Sequence, residues 1–370
     1  VNAFLTPGSG PYVLTHSVGC LPRAAHGALE AGYLQPWARR GGNAWPEWLR
    51  HIDEFRAALA RLFGGAPADF CPQSNLSSGL VKVLSALPAE PLDRRVLLAA
   101  EESFPSLAFV LDRAARRGWE ARFTPHRPDD LDSWVQALTD DVRAVLVTHV
   151  HSNSGRVAPV QEIARLCAAR DILCIVDVAQ SAGILPLSFP ALGADVVLGS
   201  CVKWLCGGPG AGFLWVRPDL VARLEPDDVG WFSHADPFEM DIHSFRYAPD
   251  ARRFWGGTPS IAPYVVATAS LGVIHELGVE TILEHNRRLI AAFADALPPA
   301  WRARLPAWPT GGTLCIPLGE HLADITTSLS ADGVQFDCRG DVVRISFHAC
   351  NTAEEAVQVA RAWQGDRACS

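Results

Sequence analysis

The stretch Ile172-Leu-Cys-Ile-Val-Asp177-Val-Ala-Gln180-Ser-Ala-Gly183, followed by Gly199-Ser200-Cys-Val-Lys203-Trp, decides how this chain is read. The brief apolar run closed by Asp177 fits a strand buried on both faces of a sheet. Arg95–Ala99, Val142–Val147, Val196–Leu198 and Gly212–Val216 have the same character. Between most of them the apolar residues recur at helical spacing, over His51–Phe63, Ser78–Leu87, Ser106–Arg117 and Val160–Arg170. Such helices supply the crossovers that parallel strands require. The chain turns mainly helical from Pro263 to about Leu297. It then offers Thr313–Ile316, a helix, two short strands around Gly333–Ile345, and a last helix from Thr352. The expected fold is α/β: a large domain, 46–265, with a mainly parallel sheet flanked by helices, and a smaller α+β domain, 266–370. Residues 1–45 are expected to fold across the mouth of the site. In that stretch Trp37, Trp45 and Trp48 lie near Arg39 and Arg40 in a loop-like region, as the lining of an aromatic pocket or as a packed lid.

Composition narrows the function classes. The 370 residues are 49% apolar and 19% charged, with a net charge of −8 and no run of Lys or Arg. Nucleic acid and anionic membranes are therefore poor partners. The longest apolar stretches fall well short of the roughly 20 residues that span a bilayer. Val1–Gly10 lacks the basic-then-apolar pattern of a secretory signal. Ten cysteines are scattered without CxxC pairs or histidines at zinc spacing. They read as reduced thiols of a cytoplasmic protein, and no metal site is expected.

The chemistry of the opening stretch is specific. Asp177 ends a strand, where open α/β sheets place ligands, and Lys203 follows 26 residues later. Pyridoxal phosphate acts as an electron sink only while its ring nitrogen is protonated, which a fixed carboxylate secures. Its aldehyde needs a lysine amine for a Schiff base that an amino-acid substrate displaces, and the freed amine then moves protons at substrate carbons. A strand-end Asp and a surface Lys is the plain alternative. The Gly-Gly-Pro-Gly turn at Gly207–Gly210 behind the lysine speaks against it. Gln73-Ser-Asn75-Leu76-Ser77-Ser-Gly79 precedes an apolar helix, so its N–H groups and hydroxyls suit a phosphate; a helix-capping turn is the alternative.

From about Tyr12 to Ala362 these motifs resemble the class V aminotransferase family, which includes kynureninases, cysteine desulfurases and selenocysteine lyases. The resemblance implies a fold-type-I enzyme with pyridoxal 5′-phosphate bonded to Lys203. It implies that Asp177 pairs with the ring nitrogen, that Gln180 hydrogen-bonds the 3-hydroxyl, and that Phe104 of Glu101-Glu-Ser-Phe-Pro-Ser stacks on the ring. Asn75, Leu76, Ser77 and Ser200 match phosphate-binding positions. Trp231 lies in Gly230-Trp-Phe-Ser-His234, similar to a kynureninase loop. Thr258 of Gly-Gly-Thr-Pro matches a threonine that reaches the neighbouring subunit's phosphate, which implies a homodimer with shared sites. Arg344 of Arg-Ile-Ser-Phe-His-Ala-Cys-Asn-Thr matches the clamp on the substrate α-carboxylate, a bidentate task suited to guanidinium. Ser17 joins it as a substrate contact.

The sequence also departs from the family. Leu107 stands where kynureninases have Asp, Cys350 where the family has Tyr, and Val202 where kynureninases carry a Tyr beside the lysine. Gln180 is the residue of the desulfurases, where kynureninases have His. Leu14-Thr-His16-Ser-Val-Gly19 replaces a kynureninase Leu-Asp-Gly-Asn-Ser-Leu-Gly. Cys338 occupies the region of the desulfurase nucleophile, without the long loop that carries it there. The expectation is a kynureninase-like lyase acting on an α-amino acid by Cβ bond cleavage or β-elimination. The alternatives are a cysteine desulfurase or selenocysteine lyase, an aminotransferase, or a non-catalytic protein that binds the cofactor.

Overall fold

The structure is a computed structural model that describes residues 3–8, 10–87, 93–124, 127–308 and 310–363. Val1, Asn2 and Ser9 of the opening stretch thus lie outside the described residues. Near the start, β1 (Phe4–Leu5) pairs antiparallel with β2 (Leu21–Pro22). The main sheet has seven strands: β3 (Phe70–Gln73), β4 (Val96–Ala100), β5 (Glu120–Thr124), β6 (Val142–Thr148), β7 (Leu173–Asp177), β8 (Val196–Ser200) and β9 (Gly212–Val216). Their order is β3-β9-β8-β7-β6-β4-β5. All are parallel except β9, which runs against both β8 and β3. That reversal is local: the connection from β8 to β9 turns through Gly208 and Gly210, both with positive φ, a conformation open to glycine at little cost. The same connection carries Lys203.

The strands read from the sequence are present, as are helices Trp45–Phe63, Leu76–Ser85, Pro105–Arg113 and Val160–Ala168. Besides the short β1 and β2, two strands of the main sheet were not legible. β3 contains Pro72, which removes a ladder donor and is tolerated here at the sheet's edge. β5 is half-exposed at the opposite edge, so it lacks an apolar run. The loop-like tryptophan stretch is helical instead. Pro36 and Pro46 sit in the first turns of helices Gln35–Arg40 and Trp45–Phe63, where a missing N–H costs nothing.

Apolar side chains pack on both faces of the sheet. On one side Phe63 stacks on Phe189 at 4.5 Å and Phe189 on Phe213 at 6.1 Å. Each such ring, fully buried, stabilises the fold by roughly 1.5–3 kcal/mol. On the other side Leu80, Val83, Leu107 and Leu111 cover Leu97, Leu146 and Leu198. A second, antiparallel sheet joins β10 (Thr313–Pro317), β12 (Val342–Ser346) and β11 (Asp337–Arg339) in that order. Phe293, Val359 and Trp363 pack with Val343, Ile345 and Phe347 of and beside this sheet. Residues 12–19 run between the two sheets. Leu14 bridges to Ser346, and the Gly19 amide donates to the Val202 carbonyl at 2.8 Å. Among the described residues no single helix is long and apolar enough to cross a membrane.

Candidate active site

At the carboxyl ends of β6, β7 and β8 lies a cavity of about 440 Å³ lined by Asn75, Leu76, Ser77, Phe104, Asp177, Gln180, Ser200 and Lys203 among others. Eight of the positions singled out in the sequence are thus brought to one space. Asp177 closes β7 and is buried, one carboxylate oxygen accepting the Ala179 amide at 2.8 Å. Burial pushes its pKa up, while that amide and the nearby Lys203 pull it down. Gln180 follows in the turn; its amide nitrogen donates to the His16 carbonyl at 3.0 Å and its oxygen accepts from the Trp204 indole at 3.3 Å.

Lys203 is half-buried, surrounded by protein yet open to the cavity that it lines. Its ammonium lies 5.7 Å from the centre of the Phe104 ring. The surrounding protein lowers its pKa to about 8; Asp177 opposes this, and Arg344 and Arg339 add to it. Cys206, whose amide donates to the Lys203 carbonyl at 2.8 Å, holds a positive φ that a non-glycine residue seldom adopts. Local strain thus sits in the turn that presents the lysine.

Asn75 caps helix Leu76–Ser85, accepting the Ser78 amide at 2.9 Å, so the capping turn and the phosphate-type turn are one structure. The start of β9 reaches it closely: a Cβ on Gly212 would lie 3.1 Å from both the Asn75 nitrogen and its Cα. Ser200 ends β8. Thr148, at the end of β6, lines the cavity with a buried hydroxyl that has no hydrogen-bond partner among the described residues.

Other expected residues lie elsewhere. Trp231 and Thr258 bond to each other at 3.3 Å and do not line this cavity. Trp231 continues an aromatic ladder through Trp45, Trp48 and Trp37, the last of them exposed, and none of the four lines this cavity. Ser17 is half-buried, its amide bonded to the Leu14 carbonyl, and is likewise not a lining residue. Arg344 is buried and already engaged. Its Nε donates to Asp337 at 2.9 Å, a second nitrogen also donates to Asp337, and a third donates to the Ser152 carbonyl at 3.2 Å.

Sequence reasoning missed His16, Ser152, Asp337 and Arg339. Arg339 donates to the Ser152 hydroxyl at 2.8 Å and lies 5.4 Å from the Phe104 ring centre. Ser152 lines the cavity, so both arginines are held at its wall. The available signal was strand alternation. In β11 Asp337 and Arg339 fall on one face and Cys338 on the other. Burial raises the Asp337 carboxyl, but hydrogen bonds from His16 and Arg344 outweigh it and hold the group at about 2.

The residues present fit pyridoxal phosphate. One space offers an amine of lowered pKa, a buried carboxylate that a cation would satisfy, an aromatic face, a hydroxyl without a partner among the described residues and the N–H groups of a ten-residue helix. The comparisons agree. The aminotransferase class-V family model matches residues 94–359. A kynureninase of Deinococcus radiodurans is 32% identical over 306 residues, covering 80% of this chain and 73% of that protein. An uncharacterized aminotransferase of Bacillus subtilis, YcbU, is 28% identical over 320 residues, covering 85% and 83%. Among solved structures, the cystine C-S lyase C-DES in complex with its product cysteine persulfide superposes with a TM-score of 0.84, at 24% identity over 96% of this chain and 97% of that one. The apo cysteine desulfurase of Thermococcus onnurineus superposes with a TM-score of 0.81, at 21% identity over 94% and 92%. The chain belongs to the class-V aminotransferase family and has its fold-type-I architecture, and it is therefore an enzyme dependent on pyridoxal phosphate.

Proposed function

We propose that this enzyme is a kynureninase-like lyase that acts at Cβ of an α-amino acid. The observation that carries the reading is one cavity lined by Lys203 and Asp177, with Arg339 and Arg344 held at its wall through Ser152. When bound, the cofactor withdraws electrons from the bonds at the substrate's Cα. Lys203, with a pKa of about 8, has enough neutral amine to bond the cofactor and, once released, to move the Cα proton. Asp177 stabilises positive charge on the ring nitrogen. Phe104 covers the ring, and Gln180 retains one amide hydrogen for a ring substituent. The turn Asn75–Leu76–Ser77 and Ser200 hold the phosphate. Arg344, assisted by Arg339, receives the α-carboxylate, with Ser17 nearby in sequence to His16.

Val202 lines the cavity beside Lys203 and has no proton to give. Cleavage of a carbon–carbon bond that needs a hydroxyl acid there is impaired, whereas loss of a β-leaving group needs only Lys203. The desulfurase alternative is disfavoured by Cys338. It faces away from Asp337 and Arg339, and burial together with Asp337 raises its thiol pKa, opposite to what a thiolate nucleophile needs. Trp231 and Thr258, outside the cavity of their own chain, support a homodimer in which they complete the partner's site. The nine described cysteines are free, in keeping with a reducing, cytoplasmic setting.

The test presents L-kynurenine, 3-hydroxy-L-kynurenine, L-cysteine and a cysteine S-conjugate to the holoenzyme and identifies the products. Pyruvate and free thiol from the S-conjugate should exceed anthranilate from kynurenine. Anthranilate formed at about 10⁴ M⁻¹s⁻¹ or more, an ordinary enzymatic efficiency, would overturn the reading of Val202. Persulfide that disappears in Cys338→Ala would establish the desulfurase, an amino-group product from a keto acid the aminotransferase. Cofactor binding without turnover of any amino acid would leave the non-catalytic alternative.

A further inference from the structure

His16 was not expected to matter, yet it is fully enclosed and its ring is bonded at both nitrogens. Nε2 lies 2.9 Å from an Asp337 oxygen and Nδ1 lies 2.8 Å from the Ser346 hydroxyl. The proton facing Asp337 can be assigned. A carboxylate only accepts, so Nε2 carries a hydrogen. Burial, the largest influence on this ring, lowers its pKa and favours the neutral form. Nδ1 is then a lone pair, one of two acceptors in reach of the single Ser346 hydroxyl hydrogen, the other being the Val13 carbonyl at 3.1 Å; the Ser346 oxygen also accepts the His16 backbone amide at 3.0 Å. The result is a chain of contacts centred on Asp337: His16 Nε2 and Arg344 Nε donate to one carboxylate oxygen, and a second Arg344 nitrogen donates to the other.

This chain decides which part of Arg344 stays available. Of its five N–H donors, two go to Asp337 and one to the Ser152 carbonyl. Two have no partner among the described residues. Without His16, Asp337 would be held by Arg344 alone; His16 adds a third hydrogen bond to it, from the segment that also bonds Gln180 through its carbonyl.

We propose that His16 is a positioning residue for the substrate carboxylate: it fixes Asp337 against one edge of the Arg344 guanidinium, so that the remaining donors are presented to the ligand. The inference rests on the reading of Arg344 as the carboxylate anchor. It also assigns Asp337 a second task. By neutralising Arg344 it leaves Arg339 as the cation that makes the subsite attractive to an anion.

The experiment uses holoenzyme and two probes, L-alanine and L-alaninamide, which share an amine and differ in the carboxylate. Binding is followed by the change in cofactor absorbance, independent of turnover. Wild type should prefer alanine. His16→Gln keeps a donor near the Nε2 position and should retain that preference to within about threefold. His16→Asn reaches only Ser346 and should reduce it by about tenfold or more, the scale of one hydrogen bond to a charged group. Cofactor affinity should stay unchanged in both, because Gln180 bonds a backbone carbonyl. A preference equal to wild type in His16→Asn, or equal losses in the Gln and Asn variants, overturns the inference. Arg344→Ala separates the two claims. If it leaves the preference intact, the anchor reading fails; if it abolishes the preference while His16→Asn does not, only the role of His16 fails.

Discussion

In the proposed function Lys203 carries the chemistry, on a single amine whose pKa is set by its surroundings. The protein around it lowers that value to about 8, against Asp177 and with help from Arg344 and Arg339. Since the neutral amine dominates above the folded pKa, capture of pyridoxal phosphate by the apoenzyme should accelerate as pH rises through about 8. A solvated lysine would show that rise near 10.4. Linkage has the same sign. The unfolded chain binds this proton more tightly, so this group's contribution to apoenzyme stability grows as pH increases above about 8. Arg339→Ala removes a neighbouring cation and should move the capture midpoint to higher pH; a stopped-flow series across pH checks both. Borohydride reduction should then fix the cofactor on Lys203, and peptide mapping to another lysine would contradict this. Asp177→Asn should still bind the cofactor through Lys203 yet lose about 10²–10³ in kcat, the usual scale for one preorganised electrostatic partner. Near-normal turnover would remove Asp177 from the mechanism.

At the level of elements, the site depends on how closely β9 approaches the start of helix Leu76–Ser85. Gly212 leaves little room for a side chain: an added Cβ would meet backbone atoms of Gln73 and Asn75 at 3.0–3.1 Å, tighter than most such contacts. Gly212→Ala should therefore destabilise the enzyme by about 1–3 kcal/mol, as overpacking does, and weaken cofactor retention more than a distant lesion of equal cost. A denaturant melt beside a cofactor titration measures the two effects, and unchanged retention would show that the Asn75 turn does not hold the phosphate. The periodicity of this helix and the apolar runs of β6 to β8 were legible because their burial is nearly uniform. β3, with Pro72, and the half-exposed β5 were not, because edge strands need not be apolar. Asp337 and Arg339 escaped for a related reason. A three-residue strand is too short to show its alternation.

For the whole molecule, the decisive question is where Trp231 and Thr258 act. The segment leading to Thr258 is anchored firmly: Gln73 donates to the Phe254 carbonyl at 3.0 Å, Lys82 to that of Trp255, and Arg56 to Asp250 at 2.9 Å. Thr258 is nevertheless exposed and away from its own chain's cavity. If it completes a partner's site, mixing inactive Lys203→Ala with an inactive Thr258→Ala should restore part of the activity, because a hybrid dimer contains one intact site. A monomer in sedimentation with cofactor fully bound would refute this.

The sequence by itself determined the α/β class, the strand-end Asp177, the lysine in its glycine turn and the arginine before the last helix. Each follows from local rules: buried strands are apolar, tight turns need glycine, and a cofactor of this chemistry needs an amine and a carboxylate at fixed places. Only the tertiary structure decided that Arg344 arrives already paired, that Arg339 and Ser152 share the cavity wall, and that His16 reaches Asp337 across 321 positions of chain. Hydrogen-bond partners that far apart leave no trace in spacing or periodicity, because packing of the small sheet against residues 12–19 creates the contact.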